Sequence, residues 1–417
     1  MEIADRLVGA TCENNGAGAV PGPARSPWAS GLGAVGLGVS PLAVSLLMSE
    51  MYWVTGAERH LKSALSAFKR AAALSREQPL TRPSLYSGTG GYLLAADDLL
   101  DARPALQPVF DKLAQSFAAQ VRSVTENFRF SPLGSWDFDA IEGVAGLAQC
   151  LLALRHPIQG RDSLLRHLAT LLTRLADIDQ AGVPRCVIDP SSYLPGQDFL
   201  WRDYPDGFVN LGYAHGIPGL LSALAAVAPW AEPERAYESV RNLRDWIMAQ
   251  HLTDSYGVSW ANGYPVGGPP LTQSARSAWC YGAPGVALAL YRAAEALRDQ
   301  AGQQEAGVLL EAAVARGRGA ERDSVTVCHG KSGLLAISLV LAPGLSPGLA
   351  GEVAGLLDPA APYGVRDTEQ DGALADDPGL LTGATGVALV QLYAATGRMP
   401  AVLKACVLGS EGRAEQA

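Results

Sequence analysis

Residues 279–291 read WCYGAPGVALALY, and residues 327–337 read VCHGKSGLLAI. Each stretch places a G-x-x-G pair directly before an aliphatic run that has the spacing of a helix. The same pattern occurs six times in one register along most of the chain. The six pairs begin at Gly88, Gly143, Gly216, Gly282, Gly330 and Gly383. Repetition of this kind predicts an architecture built from repeated hairpins.

The runs that follow the glycines carry few charges on any face, which is typical of buried helices. Amphipathic, charge-bearing stretches alternate with them, at residues 57–76, 161–176, 232–250 and 294–316. A seventh, degenerate copy begins at Gly38, with Pro41 in the place of the second glycine. The alternation predicts an all-α fold, an α/α toroid of seven inner and seven outer helices, with residues 1–417 forming a single domain. We expect the glycines to let backbones crowd around the narrow axis, where a Cβ would collide.

Two longer gaps between repeats contain segments rich in glycine, proline and aromatic residues, at 183–209 and 256–270. We expect loops or short hairpins there, covering one mouth of the ring. Loops in that position are suited to binding a peptide.

Composition places the chain among ordinary globular proteins, with 417 residues, 48% hydrophobic and 18% charged. A net charge of −9 and the lack of a basic run argue against a nucleic-acid partner. Residues 26–49 carry no charge, but their glycines and serines argue against a membrane segment or a signal peptide. Six widely spaced cysteines in a chain with a sizeable core do not predict a disulfide framework. We therefore expect a cytosolic protein without a transmembrane segment.

Superposing the repeats on their first glycine brings equivalent turns to one mouth of the ring. In that register Cys280, Cys328 and His329 fall at the turns of adjacent repeats. Two sulfurs and one nitrogen suit Zn²⁺, and three protein ligands leave one position open, as in catalytic zinc sites. The alternative is that both cysteines are small buried residues that pack well near the axis.

Four further side chains are expected around the ion: His215, Asp139, Arg276 and Tyr281. An imidazole, a carboxylate, a guanidinium and a phenol form a set that can move protons and stabilise an oxyanion. Each also has a structural interpretation. His215 is then a helix-cap histidine, Asp139 an N-cap residue and Arg276 its ion-pair partner.

The chain resembles the lanthionine synthetase C family, the cyclases of lanthipeptide biosynthesis, over nearly its whole length. The resemblance is carried by DAIEG at 139–143, AHG at 214–216, Arg276 with WCYG at 279–282, and CHG at 328–330. It implies zinc on Cys280, Cys328 and His329. It also implies His215 as the acid/base, supported by Asp139, Arg276 and Tyr281.

The activity implied by the resemblance is closure of thioether rings. Cysteine thiols of a dehydrated precursor peptide add to dehydroalanine or dehydrobutyrine residues of the same peptide. A separate dehydratase is expected, since no large extension precedes the first repeat, together with an export transporter. The implied location is cytoplasmic, with a peripheral place at the membrane through a biosynthetic complex. The peptide-binding insertion of some family members has no evident counterpart.

Three other functions remain open. Relatives in the same family add glutathione to dehydroamino acids with the same zinc ligands. A protein prenyltransferase β-subunit is another helical toroid with a thiolate-activating zinc, but its site normally includes a carboxylate ligand that the Cys-Cys-His set lacks. A peptide-binding scaffold without activity would be favoured by loss of a ligand, and all three are present.

Overall fold

The computed structural model describes residues 36–38, 41–320, 324–365, 367–368 and 374–409. Cys12 and the part of the uncharged stretch that precedes residue 36 lie outside these ranges. Within them, no helix is both long enough and apolar enough to cross a membrane.

Helical hairpins make up most of this structure. Each inner helix begins at a G-x-x-G pair or its degenerate copy, and an outer helix follows each of the first six. In chain order the helices are α1 (Pro41–Thr55), α2 (Glu58–Glu77), α3 (Thr89–Leu100), α4 (Gln107–Glu126), α5 (Val144–Ala153), α6 (Arg161–Leu175), α7 (Ile217–Val227), α8 (Pro233–Ala249), α9 (Ala283–Leu297), α10 (Gln300–Ala320), α11 (Lys331–Leu341), α12 (Ser346–Gly355) and α13 (Ala384–Thr396). Two short helices, Ser135–Phe138 and Asp198–Asp203, lie between hairpins.

The odd-numbered helices form a closed inner ring. Each contacts the next in chain order, and α13 contacts α1. Most of their residues are buried, whereas the outer helices bury one face only. The predicted all-α toroid is confirmed.

The seventh hairpin departs from the pattern. In the described part of the chain, α13 is followed not by an outer helix but by the short helix Ala401–Leu403 and a π-helical turn, Lys404–Leu408. This segment contacts α5 and α11 inside the ring. The indole N–H of Trp279 donates to the carbonyl of Val407 at 2.8 Å. The segment is mainly apolar, so it buries itself where an amphipathic helix would not.

The repeated glycines serve two kinds of close approach. A Cβ on Gly330, a first glycine, would lie 2.4 Å from the carbonyl oxygen of Ser324 in its own turn. A Cβ on Gly285, a second glycine, would lie 2.3 Å from the oxygen of Trp279 and 2.7 Å from Cβ of Tyr213 in the neighbouring repeat. Both glycines therefore let the turn fold back on itself, and a second glycine such as Gly285 also allows close approach of the neighbouring repeat.

Backbone hydrogen bonds join the turns around the mouth, the end of the ring where the inner helices begin. They join residues one to three places before the first glycines of neighbouring repeats, and three of them join the residues two places before: Ala140 N to Ala214 O (3.1 Å), Ala214 N to Cys280 O (3.4 Å), Cys280 N to Cys328 O (3.1 Å), Cys328 N to Leu381 O (2.8 Å), Leu380 N to Leu37 O (3.2 Å) and Leu37 N to Tyr86 O (2.7 Å). The turns of all seven repeats thus lie at one mouth.

Short antiparallel strands occupy the longer connections. Strand β1 (Phe208–Asn210) pairs with β4 (Gly263–Pro265), which ties the two expected loop regions together. Strands β2 (Leu252–Asp254) and β3 (Gly257–Ser259) form a hairpin, as do β5 (Asp367–Thr368) and β6 (Leu374–Ala375).

A buried charge cluster lies at the opposite end of the ring, where the first inner helices finish. Glu50 is 4% exposed and Asp98 2% exposed. Arg398 Nε donates to Glu50 Oε2 at 2.9 Å, and Arg155 Nη2 lies 3.5 Å from Asp98 Oδ1. Burial, followed by the nearby charge of Glu50, raises the pKa of Asp98 to about 7.

This raised pKa predicts a component of stability that depends on pH. The unfolded chain releases the Asp98 proton near pH ~3.9, so between about pH 4 and 7 the folded state holds the proton more tightly. The free energy of unfolding should therefore fall as pH rises through this window. Asp98→Asn stays neutral and should lose that component, so its thermal midpoint should fall less than the wild-type midpoint between pH ~5 and ~8. Asp111→Asn, at an exposed carboxylate, is the control. An identical pH response in the wild type and Asp98→Asn would contradict this interpretation.

Candidate active site

Asp139 and His215 form a hydrogen-bonded pair at the mouth. Asp139 follows the short helix Ser135–Phe138, and its Oδ1 accepts from the backbone amides of residues 141, 142 and 143 at 3.1, 2.7 and 2.9 Å. Its Oδ2 lies 2.7 Å from His215 Nδ1. Asp139 is 1% exposed, whereas the His215 ring is 31% exposed. The carboxylate is therefore fixed by its own turn and in turn orients an imidazole that reaches the surface.

The pKa of His215 is raised above its ordinary value. Burial by itself lowers it, but the hydrogen bond and charge of Asp139, together with Cys280 and Glu142, outweigh that penalty. A histidine held in this way keeps its proton at higher pH and is suited to act as an acid.

Cys280 and Cys328 form a thiol pair at adjacent turns. The bond from Cys280 N to Cys328 O brings the two residues together, and their sulfurs are hydrogen-bonded. The hydrogen bond from Cys328, together with the smaller effects of His329, His215 and Arg276, outweighs burial and lowers the pKa of Cys280 to about 7. The same bond raises the pKa of Cys328, since it shares its proton with a thiolate.

The donor set fits zinc in its chemistry. Zn²⁺ favours two cysteine sulfurs and one imidazole, and a thiol that already ionises near neutral pH binds a cation readily. In the ranges that the structure describes, however, no group of three or more His, Cys, Asp and Glu side chains has the spacing of a metal site. The structure brings together the two sulfurs, with an imidazole beside them rather than in contact.

His329 is held by a carboxylate that the sequence did not indicate. Its Nε2 lies 2.5 Å from Oδ2 of Asp367, in strand β5. Asp367 is 6% exposed, and Thr326 Oγ1 donates to the same oxygen at 3.4 Å. The imidazole is thus fixed from the side of the β5–β6 hairpin.

Tyr281 and Arg276 complete the mouth. Asn210 Nδ2 donates to the Tyr281 hydroxyl at 3.0 Å, and a Cβ on Gly212 would lie 2.6 Å from the Tyr281 ring. Burial raises the pKa of Tyr281, so the phenol stays protonated. Arg276 is exposed, and its charge contributes to lowering the pKa of Cys280 after the hydrogen bond from Cys328.

All seven expected residues therefore lie at one mouth, on four successive repeats. Two more, Asn210 and Asp367, contact them and were missed. Asn210 had a signal, because the sixth residue before the first glycine is polar in every full repeat: Arg82, Asp137, Asn210, Arg276, Ser324 and Asp377. Asp367 had none, since it lies outside the repeat register.

Comparison with known proteins places the chain in a family. The family model described as "Lanthionine synthetase C-like protein" matches residues 41–406. This match covers all thirteen helices named above and every expected site residue.

Individual relatives agree with that match. The chain is 26% identical over 262 residues to the nisin biosynthesis protein NisC of Lactococcus lactis subsp. lactis, a match covering 61% of each chain. Among solved structures, nisin cyclase superposes with a TM-score of 0.79 at 20% identity, covering 98% of this chain and 96% of the other. At that identity the likeness establishes the α/α-toroid fold.

The thiol pair predicts the metal content of the purified protein. We expect about one zinc per chain, because two sulfurs and one imidazole form a single site. Replacing both cysteines, as Cys280→Ala with Cys328→Ala, should abolish retention, as measured by elemental analysis after desalting. The double variant Cys150→Ala with Cys186→Ala is the control, because these cysteines are buried elsewhere. Stoichiometric zinc in the first double variant would disprove the assignment.

Proposed function

The chain belongs to the lanthionine synthetase C-like family, and on that basis we propose that it is a zinc-dependent lanthipeptide cyclase. It adds cysteine thiols of a dehydrated precursor peptide to dehydroalanine or dehydrobutyrine residues of the same peptide, which yields lanthionine or methyllanthionine rings. The main support is the Asp139–His215 pair, which lies beside the Cys280–Cys328 thiol pair.

We assign the zinc to Cys280, Cys328 and His329. When bound, the ion favours the thiolate form of a coordinated thiol and so supplies the nucleophile at neutral pH. The three side chains come from two adjacent turns, so the peptide approaches from the open mouth.

The reaction adds one S–H bond across one carbon–carbon double bond. The substrate sulfur forms a bond to the β-carbon of the dehydro residue, and the π electrons move to the neighbouring carbonyl as an enolate. Arg276 supplies a positive charge at the mouth, and Tyr281 supplies a phenol kept protonated by burial. We propose that both stabilise the enolate oxygen.

His215 returns the proton. Its raised pKa lets it carry the proton released by the thiol, and it delivers that proton to the α-carbon. Asp139 holds Nδ1, so exchange with the peptide takes place at Nε2. The net reaction is addition of S–H across the double bond, with no change in peptide mass.

The substrate already contains dehydro residues, so a dehydration of serine or threonine must precede this step. We propose that a separate dehydratase performs it and that a transporter exports the product. We further propose that residues 1–417 act as one cyclase domain in the cytoplasm, with membrane contact only through such partners.

The proposed function predicts that replacing His215, the general acid, slows ring closure without removing the zinc. His215→Ala should keep its zinc and lose about two or more orders of magnitude in the rate of ring closure, the usual scale for removing a general acid. The assay uses a peptide with one dehydroalanine and one cysteine, followed by thiol alkylation and mass spectrometry. Each ring removes one alkylatable thiol.

His167→Ala, at an exposed histidine on α6, is the matched control and should behave as wild type. Wild-type ring closure by a zinc-loaded His215→Ala would remove His215 from the mechanism. A second arm offers glutathione with a cysteine-free dehydrated peptide. A gain of one glutathione mass, without ring closure in the first arm, would replace the cyclase with the intermolecular reaction.

A further inference from the structure

The two histidines of the mouth occupy the same register position, directly before the first glycine of their repeats. Each is bonded to a buried carboxylate, but through opposite ring nitrogens. His215 uses Nδ1 toward Asp139 at 2.7 Å, and His329 uses Nε2 toward Asp367 at 2.5 Å. The carboxylates differ in origin as well, since Asp139 belongs to a repeat turn and Asp367 to the β5–β6 hairpin.

A histidine that ligates a metal usually donates its other ring N–H to a carboxylate or a carbonyl. That bond fixes the tautomer and the ring orientation, and makes the ligating nitrogen more basic. With Nε2 bonded to Asp367, the nitrogen that remains for an ion is Nδ1. Nδ1 lies nearer the backbone of His329 than Nε2 does, and the adjacent residue in that backbone is Cys328.

We propose that Asp367 is the positioning residue for the zinc ligand His329, holding the proton on Nε2 and directing Nδ1 toward the Cys280–Cys328 pair. The proposal rests on the assignment of zinc made above. By the same logic, Asp139 directs Nε2 of His215 to the substrate. The carboxylate that binds Nε2 of His329 leaves Nδ1 for the metal, whereas the carboxylate that binds Nδ1 of His215 leaves Nε2 for proton transfer.

The surroundings of Asp367 agree with this role. Its carboxylate is 6% exposed and makes hydrogen bonds to side chains of the repeat that carries Cys328 and His329. A buried carboxylate needs such partners, and a donating imidazole together with the Thr326 hydroxyl supplies them. The β5–β6 hairpin is therefore attached to the mouth through Asp367, the side chain that would orient His329.

A matched control lies in the same hairpin region. Asp376 follows β6, and its carboxylate accepts from the backbone amides of Tyr363 and Val365 at 2.9 and 3.2 Å. It holds the base of the hairpin without contacting His329. Changes at Asp376 test the effect of loosening the hairpin alone.

The experiment measures zinc affinity by competition with a chromogenic chelator in wild type, Asp367→Asn, Asp367→Ala and Asp376→Asn. Second-sphere partners of metal ligands are typically worth about 10- to 100-fold in affinity. We expect about 10-fold weaker binding for Asp367→Asn, which keeps an acceptor but loses the charge. We expect weakening toward about 100-fold for Asp367→Ala, and wild-type affinity for Asp376→Asn. Co²⁺ substitution should give altered d–d bands only in the Asp367 variants.

Each outcome bears on a different claim. A wild-type protein that binds no zinc would overturn the zinc assignment and this proposal with it. Zinc binding by wild type with unchanged affinity and Co²⁺ spectrum in Asp367→Asn and Asp367→Ala would overturn this proposal alone. Equal loss in Asp376→Asn would assign the effect to the hairpin and also overturn it. Thermal unfolding of the metal-free proteins checks folding, and the nearly isosteric Asp367→Asn decides if Asp367→Ala does not fold.

Discussion

The chain of backbone hydrogen bonds between successive turns is the constraint on which the mouth depends. From the fourth to the seventh turn, the residue two places before the first glycine donates its N–H to the carbonyl of the equivalent residue in the next turn. The bond from Cys280 N to Cys328 O is one link in this chain. It brings two thiols from different repeats into contact, although 48 positions separate them in the sequence. The glycines make this series of hydrogen bonds possible, because a Cβ at these positions would clash with backbone of the same turn or with the neighbouring repeat.

Electrostatics at the mouth follow from this placement. The hydrogen bond from Cys328, helped by the nearby charge of Arg276, lowers the pKa of Cys280. Asp139 meanwhile favours the protonated form of His215. We propose that metal binding by the thiol pair and proton delivery by His215 thus depend on different neighbours within one opening.

The sequence predicted the toroid and the position of seven residues at one mouth because both follow from one register. Apolar periodicity separates inner from outer helices, and the glycine pairs align the turns, so residues far apart in the chain acquire equivalent positions. Features outside that register could not be predicted. Asp367 reaches His329 from a hairpin, and residues 401–409 fill the ring instead of forming an amphipathic helix. Asn210 could have been predicted from the register, because it is the polar residue six places before Gly216.

We propose that the register of adjacent turns brings Cys280, Cys328 and His329 together as ligands of one metal ion. X-ray absorption at the zinc edge of the loaded protein tests it most directly, because it counts the donor atoms. We expect two sulfurs at about 2.3 Å and one imidazole nitrogen at about 2.0–2.1 Å, with the remaining position taken by oxygen, or by a third sulfur once a thiol peptide is added. A first shell with fewer than two sulfurs in the free protein would contradict it.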